Sequence, residues 1–200
     1  TFVAHVRHAT NGALTMANTH PFCQEGRLFA HNGVIGDMPK LEQHLGDDLS
    51  LVAGESDSER FFALMTAEID RHDGDIGAGI GAAARWVVQT LPLMSINFVL
   101  VTATDLWALR YPETNTLSVL ERPAGGGGGD SAAALDQSSR HGTRVTSEHA
   151  RDRPVVVVAS ERLDGDTAWR EFRPGELLHV GAGLDLQSAT LFQGPAPHPM

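Results

Sequence analysis

The order of patterns along the chain predicts an α+β fold with strands and helices in separate layers. Three observations carry this reading. Apolar residues alternate with period two near both ends, two helical periodicities follow one another in the middle, and nowhere do strand and helix alternate as βαβ units do. At 200 residues the chain fits one ordinary domain and is too short for two comfortable ones.

Residues 1–7 alternate as a strand that enters a polar turn over 7–11. A long loop, 12–27, contains Asn18-Thr19-His20-Pro21. Residues 28–35 read as two short strands hinged at Asn32-Gly33, because Asn-Gly accepts positive φ at low cost. Ser56 and Glu59 then have the S-x-x-E spacing of a capping box, directly before Phe61-Phe62-Ala63-Leu64-Met65. This predicts a helix over 58–71, with Phe61, Leu64, Met65 and Ile69 on one face. A second helix is predicted over 76–90. Its start is rich in glycine (Gly77, Gly79, Gly81), which permits close approach to a neighbour, and Pro92 stops it.

Beyond Pro92 the period changes to that of strands, and 96–102, 106–111 and 117–121 are expected to form an antiparallel meander. Residues 123–154 read as a flexible insertion: five consecutive glycines, then small and charged residues without periodicity. Residues 155–158, four valines, predict a buried strand, and 176–180 with 184–186 a final pair. Residues 194–200 have the composition of a disordered tail.

Composition narrows the function classes. The formal net charge of -10 opposes non-specific contact with nucleic acid or an anionic membrane surface, both of which select Lys and Arg. No apolar run approaches the length of a membrane span. The single cysteine, Cys23, excludes an intrachain disulfide and fits a reducing, cytoplasmic compartment. Oligomeric state is not written in the sequence.

Three polar knots end predicted elements: Arg7-His8-Ala9-Thr10, His31-Asn32-Gly33 and Ser56-Asp57-Ser58-Glu59. Taken singly, each has a structural explanation, as a surface charge, a turn, or a carboxylate at the positive end of a helix dipole. Together they make a recognition set. Arg7 offers a planar fork for a carboxylate, Asp57 a counter-charge for an ammonium, and Asn32 Nδ2 with the Gly33 N–H two donors for a developing oxyanion. The small molecule that needs all three is an α-amino acid with an electrophilic side-chain carbonyl, such as glutamine or a γ-glutamyl amide.

His5-Val-Arg7-His-Ala-Thr10, Asn18-Thr-His-Pro21, Ala30-His-Asn-Gly33 and Glu55-Ser-Asp-Ser-Glu59 resemble, in order and spacing, the class II glutamine amidotransferases. The likeness is nearest to short stand-alone members, including the γ-glutamyl amide hydrolase of ergothioneine biosynthesis. It extends to Val157-Val-Ala-Ser160-Glu161, Trp169 and Pro174-Gly-Glu-Leu177. The resemblance implies an αββα sandwich of the N-terminal-nucleophile hydrolase type, lacking its first strands, with residues 1–193 as the amidotransferase domain. It implies that Arg7 takes the substrate α-carboxylate with Thr10 assisting, Asp57 the α-ammonium, and Asn32 with Gly33 the oxyanion; His20 is given a supporting role. No cofactor is implied.

The family's nucleophile is a cysteine at the mature N-terminus, and Cys23 lies where the family keeps none. Thr1 is rejected as a substitute, because the strand it begins is interior in the family. The expectation is an amidase whose nucleophile lies outside these residues. The alternatives are a non-catalytic domain that retains a glutamine or glutamate pocket, and a purely structural role. A metal site built from His5, His8, His20 and His31 is disfavoured, since His5-x-x-His8 on a strand places the two rings on opposite faces.

Overall fold

The computed structural model describes residues 3–4, 15–126, 134–140 and 142–200. The strand expected over 1–7 and the turn carrying Arg7 and Thr10 thus lie almost wholly outside the described residues. After a 3₁₀ turn, Met16–Asn18, come β1 (Phe22–Gln24) and β2 (Arg27–Ile35). Then follow α1 (Met38–Leu45), a second 3₁₀ segment (Gly46–Leu51), α2 (Asp57–Arg71) and α3 (Ile76–Thr90). The remainder is β-rich: β3 (Leu93–Val101), β4 (Leu106–Leu109), β5 (Ser118–Arg122), β6 (Leu135–Ser138), β7 (Arg144–Ser147), β8 (Val155–Ala159), β9 (Arg170–Glu171), β10 (Glu176–Val180) and β11 (Leu186–Thr190).

Six strands form the main sheet in the order β1-β2-β3-β4-β10-β11, every pairing antiparallel. Side-chain alternation gives this sheet two buried faces. Phe29, Phe98, Leu100, Trp107 and Leu109 pack against Phe61, Phe62, Leu64 and Met65 of α2 and Ile80 and Val87 of α3. Val99, Ala108, Leu178 and Val180 face the other way, onto Val119, Val156 and Val158 of a three-stranded sheet ordered β8-β5-β9 and onto Phe172 just after β9. The layering among the described residues is therefore helix, sheet, sheet, three of the four layers of the expected αββα sandwich, with no α-helix on the outer face of the small sheet. The outer face of the small sheet is covered by Leu163, Trp169 and Val145 packed on Leu120, Val157 and Ala159.

The two predicted helices form with nearly the expected bounds. Of the glycines that open α3, Gly79 has the steric reason: a Cβ there would overlap the backbone of Ile69 on α2. The meander is corrected. β3 and β4 pair as expected, but β5 leaves for the second sheet. Buried Arg110 directs that crossing, donating from Nε to Asn115 O at 2.9 Å, from Nη1 to Phe172 O at 2.6 Å and from Nη2 to Glu113 O at 3.1 Å.

The 123–154 segment carries regular structure among its described residues. β6 and β7 pair as a hairpin, Leu135 is buried, and Gln137 Nε2 donates to Asp164 Oδ2 at 2.7 Å. The four valines of β8 are half-buried rather than buried, because β8 is an edge strand. The last residues dock instead of fraying: Leu93 N donates to His198 O at 2.9 Å, Met200 N to Leu93 O at 3.2 Å, and Ala196 is buried.

Candidate active site at the end of the second strand

β2 does not hinge at Asn32-Gly33. It runs unbroken past both, with Asn32 opposite Asn97 and Gly33 opposite Ile96 on β3. The ladder with β3 outweighs the local turn tendency of Asn-Gly, and the irregularity comes later, between Val34 and Ile35. The glycine serves close packing: a Cβ on Gly33 would overlap the Ser95 carbonyl oxygen. Ile96 N donates to Tyr111 O at 2.7 Å, on the β4 side of its strand. Gly33 therefore sits in a pair that is not hydrogen-bonded, and its N–H turns away from β3, past the end of β1.

Asn32 projects from the opposite face to Phe29 and His31, toward the second sheet, and is exposed. Beside it on β3, buried Asn97 has a full set of partners. Its Oδ1 accepts from Tyr111 N (2.9 Å) and Ser95 Oγ (3.1 Å), and its Nδ2 donates to Asn115 O (3.1 Å) and Thr116 O (3.3 Å). This holds the 115–116 loop over the strand pair. Asn115 Nδ2 approaches Asn32 O at 3.4 Å and Asn32 Oδ1 at 3.5 Å, so the amide nitrogen of Asn32 is the end left to face outward.

Asp57 reaches the same strand from the helical side. Ser56 caps α2, its Oγ accepting from Glu59 N at 3.2 Å, and the half-buried Asp57 in the first turn accepts the Ile35 N–H on Oδ2 at 2.9 Å. The reciprocal half of the expected capping box is absent. Buried Glu59 instead accepts Ala53 N (3.0 Å) and Gly54 N (2.7 Å), while Asn18 Oδ1 accepts Glu55 N (2.7 Å). The Asn18 motif and Glu59 thus latch the loop that leads into Asp57.

His31 lies buried between β2 and α2, with Nδ1 2.9 Å from Ser58 Oγ and Nε2 3.2 Å from Ser95 O. Burial pushes its pKa below the usual imidazole value, against the opposing pull of the Asp57 charge and the Ser95 carbonyl. Both ring nitrogens are engaged by protein, which leaves neither for a metal. Among the described residues no group of three or more His, Cys, Asp or Glu side chains is placed to hold a metal ion.

Of the predicted set, Asn32, Gly33 and Asp57 come together at one end of β2, whereas Arg7, Thr10, His5 and His8 lie outside the described residues. His20 is nearly buried, its ring edge-on to Phe22 with centroids 4.6 Å apart. Cys23 is exposed on β1 opposite Leu28, about 13 Å along the strand from the level of Asn32. The sequence reading passed over Asn97 and Asn115. An amide inside the apolar run of β3 was the available signal for the first.

The model of the class II glutamine amidotransferase family matches residues 1–199. YafJ of Escherichia coli (strain K12), a protein assigned by its name to the glutamine amidotransferases, is 27% identical over 180 residues, 87% of this chain and 67% of its own. Among solved structures, a predicted glutamine amidotransferase from Pseudomonas aeruginosa superposes with a TM-score of 0.63 at 20% identity, covering 86% of this chain and 65% of that one. Glutamine phosphoribosylpyrophosphate amidotransferase from B. subtilis gives 0.60 at 21% identity, covering 96% of this chain but 35% of its own. The chain thus spans about two thirds of the first two proteins and about a third of the last. These neighbours share the N-terminal-nucleophile hydrolase type of fold, and among the described residues no helix is long and apolar enough to cross a membrane. With a family match over essentially its whole length, and three of the motif residues gathered at one end of β2, the chain belongs to the class II glutamine amidotransferases.

Proposed function

We propose that the protein hydrolyses the γ-amide of glutamine or of a γ-glutamyl amide through a cysteine thioester, with the thiol supplied from outside these 200 residues. The observation that carries this is the joining of Asp57 to β2 at Ile35, two residues beyond Gly33. It anchors an acceptor for an ammonium to the same strand whose Asn32 and Gly33 offer two donors suited to an oxyanion.

In this reading Arg7 pairs with the substrate α-carboxylate, Thr10 assists it, and Oδ1 of Asp57, the oxygen not hydrogen-bonded to Ile35, takes the α-ammonium. The thiolate attacks the γ-carbonyl carbon, and the carbonyl oxygen gains the negative charge. Asn32 Nδ2 and the Gly33 N–H stabilise that oxyanion. Collapse of the intermediate breaks the C–N bond, and the leaving nitrogen departs as ammonia or an amine once protonated. Water then attacks the thioester, releasing glutamate and the thiol. Each oxyanion donor of this kind is worth about 2.7–4 kcal/mol in the barrier. Cys23 is not assigned the nucleophilic role, since it lies too far along the sheet from Asn32.

The test is glutamate release by the full-length protein from glutamine and from a panel of γ-glutamyl amides. Release from at least one of them supports the assignment, and the ranking by kcat/KM identifies the leaving amine. Saturable binding without release points to an amino-acid-binding domain and overturns the hydrolase reading.

A further inference from the structure

We propose that His31 keeps the Asp57 carboxylate open for the substrate ammonium by holding the Ser58 hydroxyl hydrogen on its own Nδ1. This rests on the reading of Asp57 given above and assigns a positioning role to a residue that touches no substrate.

The chain of reasoning starts at Ser95. Its carbonyl oxygen can only accept, and it lies 3.2 Å from His31 Nε2, so that nitrogen carries the ring hydrogen. In the neutral imidazole Nδ1 is then a bare lone pair. Ser58 Oγ, 2.9 Å away, has one hydrogen and donates it there. The competing acceptor for that hydrogen is Asp57 Oδ1, 3.4 Å from Ser58 Oγ. Asp57 Oδ2 is already occupied by the Ile35 N–H. As long as His31 claims the hydroxyl hydrogen, Oδ1 keeps its lone pairs for a ligand.

The surroundings hold the ring in that state. Phe29 stacks beside it with centroids 6.3 Å apart, and Phe61 meets it edge-on at 5.8 Å. These apolar walls disfavour an imidazolium, which would donate from Nδ1 and release the Ser58 hydrogen toward Asp57. The absence of a side chain at Gly33 makes room for the Ser95 carbonyl that fixes the tautomer.

The experiment uses the full-length protein and three variants. His31→Phe removes the acceptor, so the hydroxyl turns to Asp57 and the KM for glutamine rises about tenfold, as for loss of one hydrogen bond to a charged group, with kcat changed less. Adding Ser58→Ala removes the competing hydroxyl. KM then returns to within about threefold of wild type, while the melting temperature, expected to be lowered in both variants because Ser95 O loses its donor, does not recover. A merely structural role predicts no such recovery, and a double variant as poor as His31→Phe, or a normal KM in His31→Phe, overturns the proposal. Asp57→Asn separates the two levels. If it leaves KM unchanged, the ammonium assignment itself fails; if it raises KM and the double variant does not recover, only the role of His31 fails. Should His31→Phe not fold, nitrogen-15 NMR of the wild-type ring decides: a hydrogen on Nε2 at neutral pH is required, and one on Nδ1 contradicts the inference.

Discussion

Asp57 Oδ2 accepts the backbone N–H of Ile35 at 2.9 Å, so the first turn of α2 is fastened to the strand that carries Asn32 and Gly33. A helix start and a strand end that would otherwise move separately are held as one piece. In the proposed function, that piece binds the ammonium at one end of the substrate and the reacting carbonyl at the other.

The loop ahead of Asp57 owes its shape to Glu59, whose carboxylate accepts Ala53 N and Gly54 N. Glu59→Ala strands two partly buried N–H groups, at a cost of about 2–4 kcal/mol. The denaturant midpoint is expected to fall accordingly, and Asn18→Ala, which frees Glu55 N, is expected to lower it by less. A Glu59→Ala protein with the wild-type midpoint contradicts the latch.

Gly33→Ala places a methyl group on the Ser95 carbonyl oxygen, which His31 holds in place. Overpacking of this kind costs about 1–3 kcal/mol, and for a domain this size each kcal/mol lowers Tm by about 2–4 °C. A fall of about 2–12 °C is expected, together with lower kcat as the Gly33 N–H shifts. An unchanged Tm shows that the strands can separate more easily than the packing implies.

Burial holds His31 neutral, its folded pKa below the usual value. The unfolded chain then binds the proton more readily, so this residue's contribution is full above about pH 6.5 and is lost as pH falls through the unfolded value toward the folded one. The slope reaches at most about 1.4 kcal/mol per pH unit for one proton. His44, also depressed by burial, adds to the same trend. Melting curves from about pH 7.5 to about pH 5 should therefore be flatter for His31→Phe than for wild type. Equal slopes contradict a buried neutral ring.

Deleting residues 125–147 removes Leu135, which is buried, and the Gln137 bond to Asp164. Asp164 also receives Trp169 Nε1 at 2.8 Å, so the cover over the second sheet loosens. Losing one buried leucine costs about 1.5–3 kcal/mol, and Tm should drop by several degrees. A wild-type Tm means that the hairpin contributes nothing to the packing.

Much of this was legible where local signals and tertiary packing agree. The helices announce themselves through the Ser56 cap, the spacing of Phe61, Leu64 and Met65, and the stop at Pro92. The Asn32-Gly33 dipeptide was misread as a turn because its tendency is local, whereas the ladder with β3 and the close Ser95 carbonyl are contributed from more than sixty residues away. α1 went unremarked although Pro39 in its first turn and the Leu41–Leu45 spacing both mark it. The β6–β7 hairpin could not be read from its sequence, since among its strand residues only Leu135 and Val145 are apolar and its support comes from Asp164 and the second sheet. The Asn97–Asn115 arrangement depends on β5 changing sheets, which periodicity does not encode.

The central claim is that Asn32 stabilises the oxyanion formed at a γ-carbonyl, and steady-state kinetics of Asn32→Ala with glutamine as substrate tests it most directly. The account predicts kcat lower by about 10²- to 10³-fold with KM close to wild type. A wild-type kcat, or a loss confined to KM, contradicts it.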